Sequence, residues 1–542
     1  MPSTIQHSCV VGEAGEGLRG RRGSTAPRNC AGGQSQDRDL GAGRLNIEAA
    51  MQAARRVCIL LWVVCALQGV CAFRSNTRAC NYGGISLRAV AISPNAPPLT
   101  QQGNDRGGGT SSLQVSSTNL LKNMVGAGVF SLNAKVSAVS HSPKTFLPAA
   151  ALVAVMAAWA TYNFYMVGET CKMTESTSYG QAWGRTVSKG SEWLIQAVVT
   201  IAPIVSCLAN SIVLTDILGL VYRALGAPAW MYSSRNTVIM LLSSTILYPL
   251  CIQKDLSALK SVSAFGILGH LSAMGALGIR VADKSYAAGG IFYKGSPLER
   301  AALLSSAAGA KAAGFAAPVL SPPAVAPAKL FVLASLLSYC FVCHYNAPRY
   351  YFELQDKDTK PNQFFNMASL SYAGGAAIYI GTMWLGLNLF GPYSASFALN
   401  SFSINDPLGI VARVAFGSSV LASFPLIFLN ARNWFTTLAS TVAPRFAGTE
   451  QVTAVLLTLI ALMTSAVSDI GVVGSIAGAV FGSSMMFIFP PIMYMRALLQ
   501  DAQKRGEKVA VSKIVLNSVL LVCGGILGGF GTWNSVKVLL KR

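Results

Sequence analysis

Apolar and polar positions divide this chain into two regimes. Up to about residue 115 the sequence is mixed, with Gly and Ser clusters and no helical or strand period apart from one apolar run. Beyond it, long apolar stretches follow one another, separated by short polar connections. A bilayer's hydrocarbon core is about 30 Å thick and takes roughly 20 apolar residues per helix. Laid along the chain, that length predicts eleven spans, near residues 116–137, 146–170, 192–221, 236–252, 261–281, 329–347, 364–391, 408–430, 451–468, 471–495 and 512–535. The fold class expected is all-α integral membrane, with one transmembrane domain over 116–540. Residues 282–328, rich in Ala, Gly, Pro and Ser (SSAAGAKAAGFAAPVLSPPAVAPA), read as a flexible low-complexity loop between spans five and six.

The apolar run in the arm, Val57–Val70 (VCILLWVVCALQGV), is 14 residues long and too short to span. It follows Arg55-Arg56 and ends at Val70-Cys71-Ala72, with small residues where a signal peptide is cut. Residues 51–72 therefore read as signal-peptide-like, with Met51 a candidate start and 1–50 a disordered extension. From Phe73 to residue 115 the arm carries Arg, Ser and Thr and no acid until Asp105, the composition of a transit peptide. The two segments together resemble the two-part targeting sequence of algae with secondary plastids. The plain alternative is a disordered tail on a secretory-pathway membrane protein.

Composition excludes the other broad classes. The chain has 542 residues, 52% apolar and 12% charged, with mean hydropathy +0.47 and net charge +21. The charged share is half the roughly 25% of soluble domains, too little to coat a water-soluble protein of this length, and the apolar share is too high for a disordered one. A positive balance is ordinary for a membrane protein, whose cytoplasmic loops collect Lys and Arg. With no basic cluster interleaved with aromatics and no recognisable motif, the charge is no argument for nucleic acid. With the amino terminus inside, inner connections hold 15 Lys and Arg against 12 outside, or 6 once the long loop and its flanks are set aside, which favours that orientation. Of 12 cysteines, six lie at or before Cys80 and six are scattered (Cys171, Cys207, Cys251, Cys340, Cys343, Cys523), without paired CxxC spacing. They read as small packing residues.

Span one reads SSTNLLKNMVGAGVFSLNAKVS, with Gly126-Ala127-Gly128 in mid-membrane. Two glycines there weaken the helix and free backbone groups that hydrocarbon penalises unless they face a cavity or ligand. The half-helix ends at such a break can hold a substrate carboxylate through the positive end of the dipole. The same small residues also suit close helix packing, so both readings stand at this point.

The segment NLLKNMVGAGVFSL resembles the first span of the amino acid/auxin permease family. Four more segments are similar to that family in order: YPLCIQKDLSALKSVSAFGILG (Tyr248–Gly269), SYCFVCHYNAPRYYFELQD (Ser338–Asp356), DPLGIVARVAFGSSVLASFPLIFLNAR (Asp406–Arg432) and SDIGVVGSIAGAVFGSSMMFIFPPIMYMR. The resemblance implies a leucine-transporter-like fold of two inverted five-helix repeats plus an eleventh helix. It also implies a substrate held between spans one, three, six and eight. Carried over by position, Gly126, Ala127 and Gly128 would meet an amino acid's carboxylate, and the stretch with Tyr339, Cys340, Phe341 and His344 its amino group and side chain. Two positions depart from the family. Asn133 stands where Pro is frequent, and Lys122 stands where sodium-coupled relatives carry an Asn ion ligand, with Asn123 one step along as a further binding candidate. A fixed cation at 122 repels or replaces sodium, which favours proton coupling.

Ionisable groups inside spans are costly and usually functional. Glu169, Asp216 and Asp469 fall at or near span ends, leaving Lys122, His270 and His344 as ion-coupling candidates. Each His reads either as a proton relay or as a buried neutral ring bonded to a carbonyl. Ser419 and Ser423 share a helical face with Ser418 beside them and line a pocket, ligate an ion or simply pack. Asn210 and Thr215 in span three are weaker candidates. No enzyme motif or in-span carboxylate pair occurs, and the four His (His7, His141, His270, His344) are too dispersed for a metal site, so neither enzyme, metal nor cofactor is expected. The function expected is secondary active transport of amino acids by alternating access, coupled to protons rather than sodium. The alternative is a non-transporting amino acid sensor or a structural subunit of a plastid membrane complex.

Overall fold

The computed structural model describes residues 109, 111–139, 145–253, 263–294, 296, 297, 299, 327–356, 360, 362–391, 394–442 and 448–540. The signal-like segment, most of the transit-like segment and most of the low-complexity loop lie outside the described residues, and the last residues of the transit-like segment, from Leu113, begin the first helix.

Sixteen α-helices are named here in chain order. The first five are α1 Leu113–Met124, α2 Leu132–Val139, α3 Phe146–Thr174, α4 Tyr179–Thr186 and α5 Glu192–Ala224. Next come α6 Arg235–Leu241, α7 Tyr248–Cys251, α8 Ser263–Ala282, α9 Pro327–Phe341, α10 Ala347–Glu353 and α11 Gln363–Phe390. The last are α12 Pro407–Val442, α13 Thr449–Ala466, α14 Ile470–Ala477, α15 Phe489–Arg505 and α16 Val511–Leu540. Among the described residues β pairing is limited to one isolated bridge, Ser111 with Leu354.

Among the described residues eight helical stretches are long and apolar enough to cross a membrane, and they coincide with spans read from the sequence. The other three predicted spans correspond to shorter pieces. Span one is split into α1 and α2. Span four is α6 and α7 joined by a π segment at Leu242–Leu247, and span five includes the short apolar helix Gly266–Ala282. Local chemistry sets many ends: Ser112 caps α1 by accepting from Val115 N, Asp469 caps α14 by accepting from Gly471 N and Val472 N, and α15 stops at Gly506 with φ 69°.

Two buried clusters form the core. One gathers α1, α3, α9 and α11 around residues such as Leu120, Phe164, Leu336 and Tyr379, and the other gathers α5, α8 and α12 around Ile212, Leu277, Phe416 and Phe424. Tyr339 packs against both. Exposed apolar side chains run along α16 (Val515, Val519, Val522, Ile526, Phe530, Trp533) and α13 (Val455, Leu459, Leu462), faces that suit lipid and not water.

The opening of the long loop departs from a purely flexible reading. Residues 283–294 make a run of tight turns in which Tyr286 is 1% exposed and packs against the rings of Phe292, Phe390 and Phe402. Low-complexity composition does not begin until after that aromatic anchor.

Candidate functional site

Span one breaks where its glycines are. α1 ends at Met124, Gly126 is extended at φ −120° and ψ −166°, and a 3₁₀ turn over Ala127–Ser131 leads into α2. Span six breaks as well: α9 ends at Phe341, and a 3₁₀ turn over His344–Asn346 precedes α10. The two breaks face each other. A Cβ placed on Gly128 would lie 2.9 Å from Cys340 Sγ and 3.3 Å from the Tyr339 ring, whereas one on Gly126 would meet nothing within 4 Å. Ala127 is 3% exposed, so this centre is buried.

The sequence-derived candidates separate into groups. Gly128, Tyr339 and Cys340 come together at the facing breaks. Lys122, Gly126, His270 and Ser419 form a second group beside the first break. The Lys122 side chain lies along α8, with Nζ 3.4 Å from a Cβ placed on Gly266. His270 Nδ1 is 3.0 Å from Gly266 O, and Nε2 is 3.4 Å from Gly126 O. Ser419 Oγ donates to Gly266 O at 2.7 Å and lies 3.5 Å from His270 Nδ1. Phe130 and Phe416 wall this ring in.

The remaining candidates face elsewhere. Phe341 turns towards α11, 4.8 Å from the Tyr379 ring. His344 is fully buried and its Nε2 donates to Ala160 O on α3 at 3.0 Å, leaving Nδ1 without a protein partner. Ser423 donates to Ser419 O and Thr215 to Ser211 O within their own helices. Asn210 is buried on α5, and Asn123 lies on α1 beside Lys122. Asn133, at the position where Pro is frequent, is fully buried against Gly386 with neither amide atom partnered.

Sequence reasoning missed three features. Tyr379 on α11 donates its hydroxyl to Met124 O and Cys340 O, both at 2.8 Å, and so touches both breaks. Asp406, buried at the start of α12, accepts from Arg280 Nη2 at 2.7 Å and from the Tyr286 hydroxyl at 3.0 Å. Arg413 is 1% exposed inside α12 and donates to Leu399 O at 3.1 Å and Phe402 O at 2.6 Å. Arg413 in span eight, with Lys135 in span one and Arg280 in span five, extends the in-span charges beyond Lys122, His270 and His344. A hydroxyl in an apolar run carries no charge signal, the side-chain partners of Asp406 (Arg280, Tyr286) lie 126 and 120 residues away, and those of Arg413 are backbone carbonyls of the connection before α12, none of which leaves a sequence pattern.

Comparison with known proteins agrees with the resemblance. Amino acid transporter AVT6B of Arabidopsis thaliana is 21% identical over 458 residues, covering 79% of this chain and 93% of that one. A Danio rerio protein provisionally named sodium-coupled neutral amino acid transporter 11 is 21% identical, covering 78% and 86%. A crystal structure of MhsT in complex with L-phenylalanine aligns with 80% of this chain and 100% of that one at TM-score 0.40 and 14% identity. The family described as transmembrane amino acid transporter protein matches residues 109–537, most of the chain, and this multi-pass membrane protein belongs to that family of transporters, which are not enzymes.

Proposed function

We propose that the chain is a proton-coupled amino acid transporter of eleven spans in two inverted repeats, working by alternating access around the facing breaks. The unfilled side of Gly126 and the backbone N–H groups at the start of the 3₁₀ turn suit an amino acid carboxylate, and Tyr339 and Cys340 stand opposite for the rest of the substrate.

The observation that carries the proton reading is His270, held between two carbonyls. A neutral imidazole has one N–H, so it bonds one carbonyl and presents a lone pair to the other. An imidazolium donates to both. Gaining a proton therefore tightens the ring's hold on Gly126 O, the backbone of the break itself, and losing it relaxes that hold. The Lys122 side chain lies one turn of α8 away, a second titratable group beside the relay.

The Danio rerio relative's name speaks for sodium, so the coupling ion must be tested directly. In proteoliposomes, an inward proton gradient is expected to accumulate neutral amino acids, and a sodium gradient alone is not. His270→Gln keeps a hydrogen bond without the titration and should lose gradient-driven accumulation while retaining exchange. Accumulation by the variant equal to the parent would remove His270 from coupling. No flux of any common amino acid under either gradient would sink the transport reading and favour a sensor.

A further inference from the structure

A break inside a bilayer leaves backbone carbonyls at the end of each half-helix without helical partners. The carbonyls of Met124, at the end of α1, and Cys340, one residue before the end of α9, point at one place, where the Tyr379 hydroxyl stands 2.8 Å from each. A phenol has a single hydrogen, so that hydrogen serves two acceptors. The spot gathers the negative ends of two half-helix dipoles, so it favours positive charge. In transporters with discontinuous helices such carbonyl ends coordinate Na⁺ or H⁺. Tyr379 is fully buried and its ring packs on Phe341. Seven residues earlier on the same face of α11, the Tyr372 hydroxyl meets the second break alone, 3.4 Å from Phe341 O and 3.1 Å from Cys343 Sγ.

We propose that the Tyr379 hydroxyl occupies a monovalent-cation site formed by the Met124 and Cys340 carbonyls, its O–H standing in place of the ion, and so holds both breaks in register without sodium. Tyr379 is thus a positioning residue for the centre described above. The proposal rests on the reading of the two breaks as one centre, but not on any flux being observed. It also separates two jobs that one ion can perform elsewhere: bracing the breaks falls to a fixed tyrosine, and energy coupling is left to His270.

Two substitutions distinguish an ion site from a simple brace. Tyr379→Phe removes the donor but keeps the ring, which still fills the space. Tyr379→Ser removes the ring and the phenol, so the two carbonyls are left without their donor and with room for a small cation and its water. The measurement is the melting temperature of purified full-length protein in sodium chloride against choline chloride at equal ionic strength, which needs no transport activity. Both variants should melt below the parent in choline. Saturating sodium should then raise the Ser variant by about 4 °C or more and leave the parent and the Phe variant unmoved. If Tyr379→Ser does not fold, Tyr379→Asn, with its amide oxygen, is read in the same way. The absence of a sodium-specific rise in the opened variant overturns the proposal, as does an equal rise in the parent. A sodium-rescued variant without amino acid flux in any sample would leave this site standing and remove the transport reading instead.

Discussion

Gly126 and Gly128 sit two residues apart yet face different surroundings, and substitution should separate them. A side chain at Gly128 runs into Cys340 Sγ and the Tyr339 ring, so Gly128→Leu must push the two breaks apart. At Gly126 a Cβ meets open space and the extended backbone accepts any residue. Gly126→Ala should therefore melt within a degree or so of the parent. If the open space is where the carboxylate docks, the same variant should bind or transport amino acid with KM raised about tenfold, as expected when a close charge-assisted contact is disturbed. Gly128→Leu should lose transport and stability together. Parent-like KM in Gly126→Ala would move the carboxylate site away from this break. The glycine pair itself was legible in the sequence, because only a break or a close contact makes use of two glycines in mid-span. The opposite break was not legible by the same rule: Phe341-Val342-Cys343 contains neither Gly nor Pro, and only the family resemblance pointed to it. Tyr379 left no trace, since its two acceptors lie 255 and 39 residues away.

Helix existence followed directly from apolar length, and the ends fell close to expectation: 146–170 was read for Phe146–Thr174 and 364–391 for Gln363–Phe390. What periodicity could not supply was how the connections are pinned. The segment 394–406 before α12 is held by Asn400 Nδ2 donating to Asp216 at 3.0 Å, by the Arg413 bonds to its carbonyls, and by the Arg280–Asp406 pair. It also carries Phe397, whose ring packs against Phe130 just past the first break. The connection is therefore part of the architecture around the site. Asp406 has no side-chain exposure and serves Arg280, Tyr286 and Leu408 N, so its removal leaves several donors unpaired in a buried setting. Asp406→Ala should cost about 3–5 kcal/mol, read as a large drop in melting temperature in detergent. Arg349→Ala, which breaks an exposed pair with Glu353, should cost less than about 0.5 kcal/mol. Comparable small losses in both would mean that the Asp406 cluster is solvated and the connection is held by its aromatic residues alone.

Contacts across the molecule sort the connections onto two ends. The first is marked by three ties: the Ser111–Leu354 bridge, the packing of Phe364 against Gly168, and Gln500 donating to Arg185 O at 3.3 Å. Together these gather the start of α1, the exits of α3 and α10, α4 and the α15–α16 turn. Lys172, Arg185, Lys189, Arg349, Lys360, Arg496, Lys504, Arg505, Lys508 and Lys513 fall in these segments. The other end is tied by Asp216 to Asn400 and Arg235 and by Arg280 to Asp406. Loops retained on the cytosolic side are the ones enriched in Lys and Arg, so the charges predict that the first end faces the cytosol. Starting there, an odd number of crossings puts the end of α16 on the far side. An eight-span chain would return it to the cytosol. In sealed vesicles with the cytosolic face outward, a membrane-impermeant maleimide should label Gln503→Cys at once, in a background where Cys523 and the six arm cysteines (Cys9, Cys30, Cys58, Cys65, Cys71, Cys80) are replaced by Ala. Asn405→Cys and a cysteine appended after Arg542 should react only once detergent opens the vesicle. Labelling of the appended cysteine together with residue 503 would rule out eleven spans, and the reverse order for 503 and 405 would invert the orientation that the charges imply.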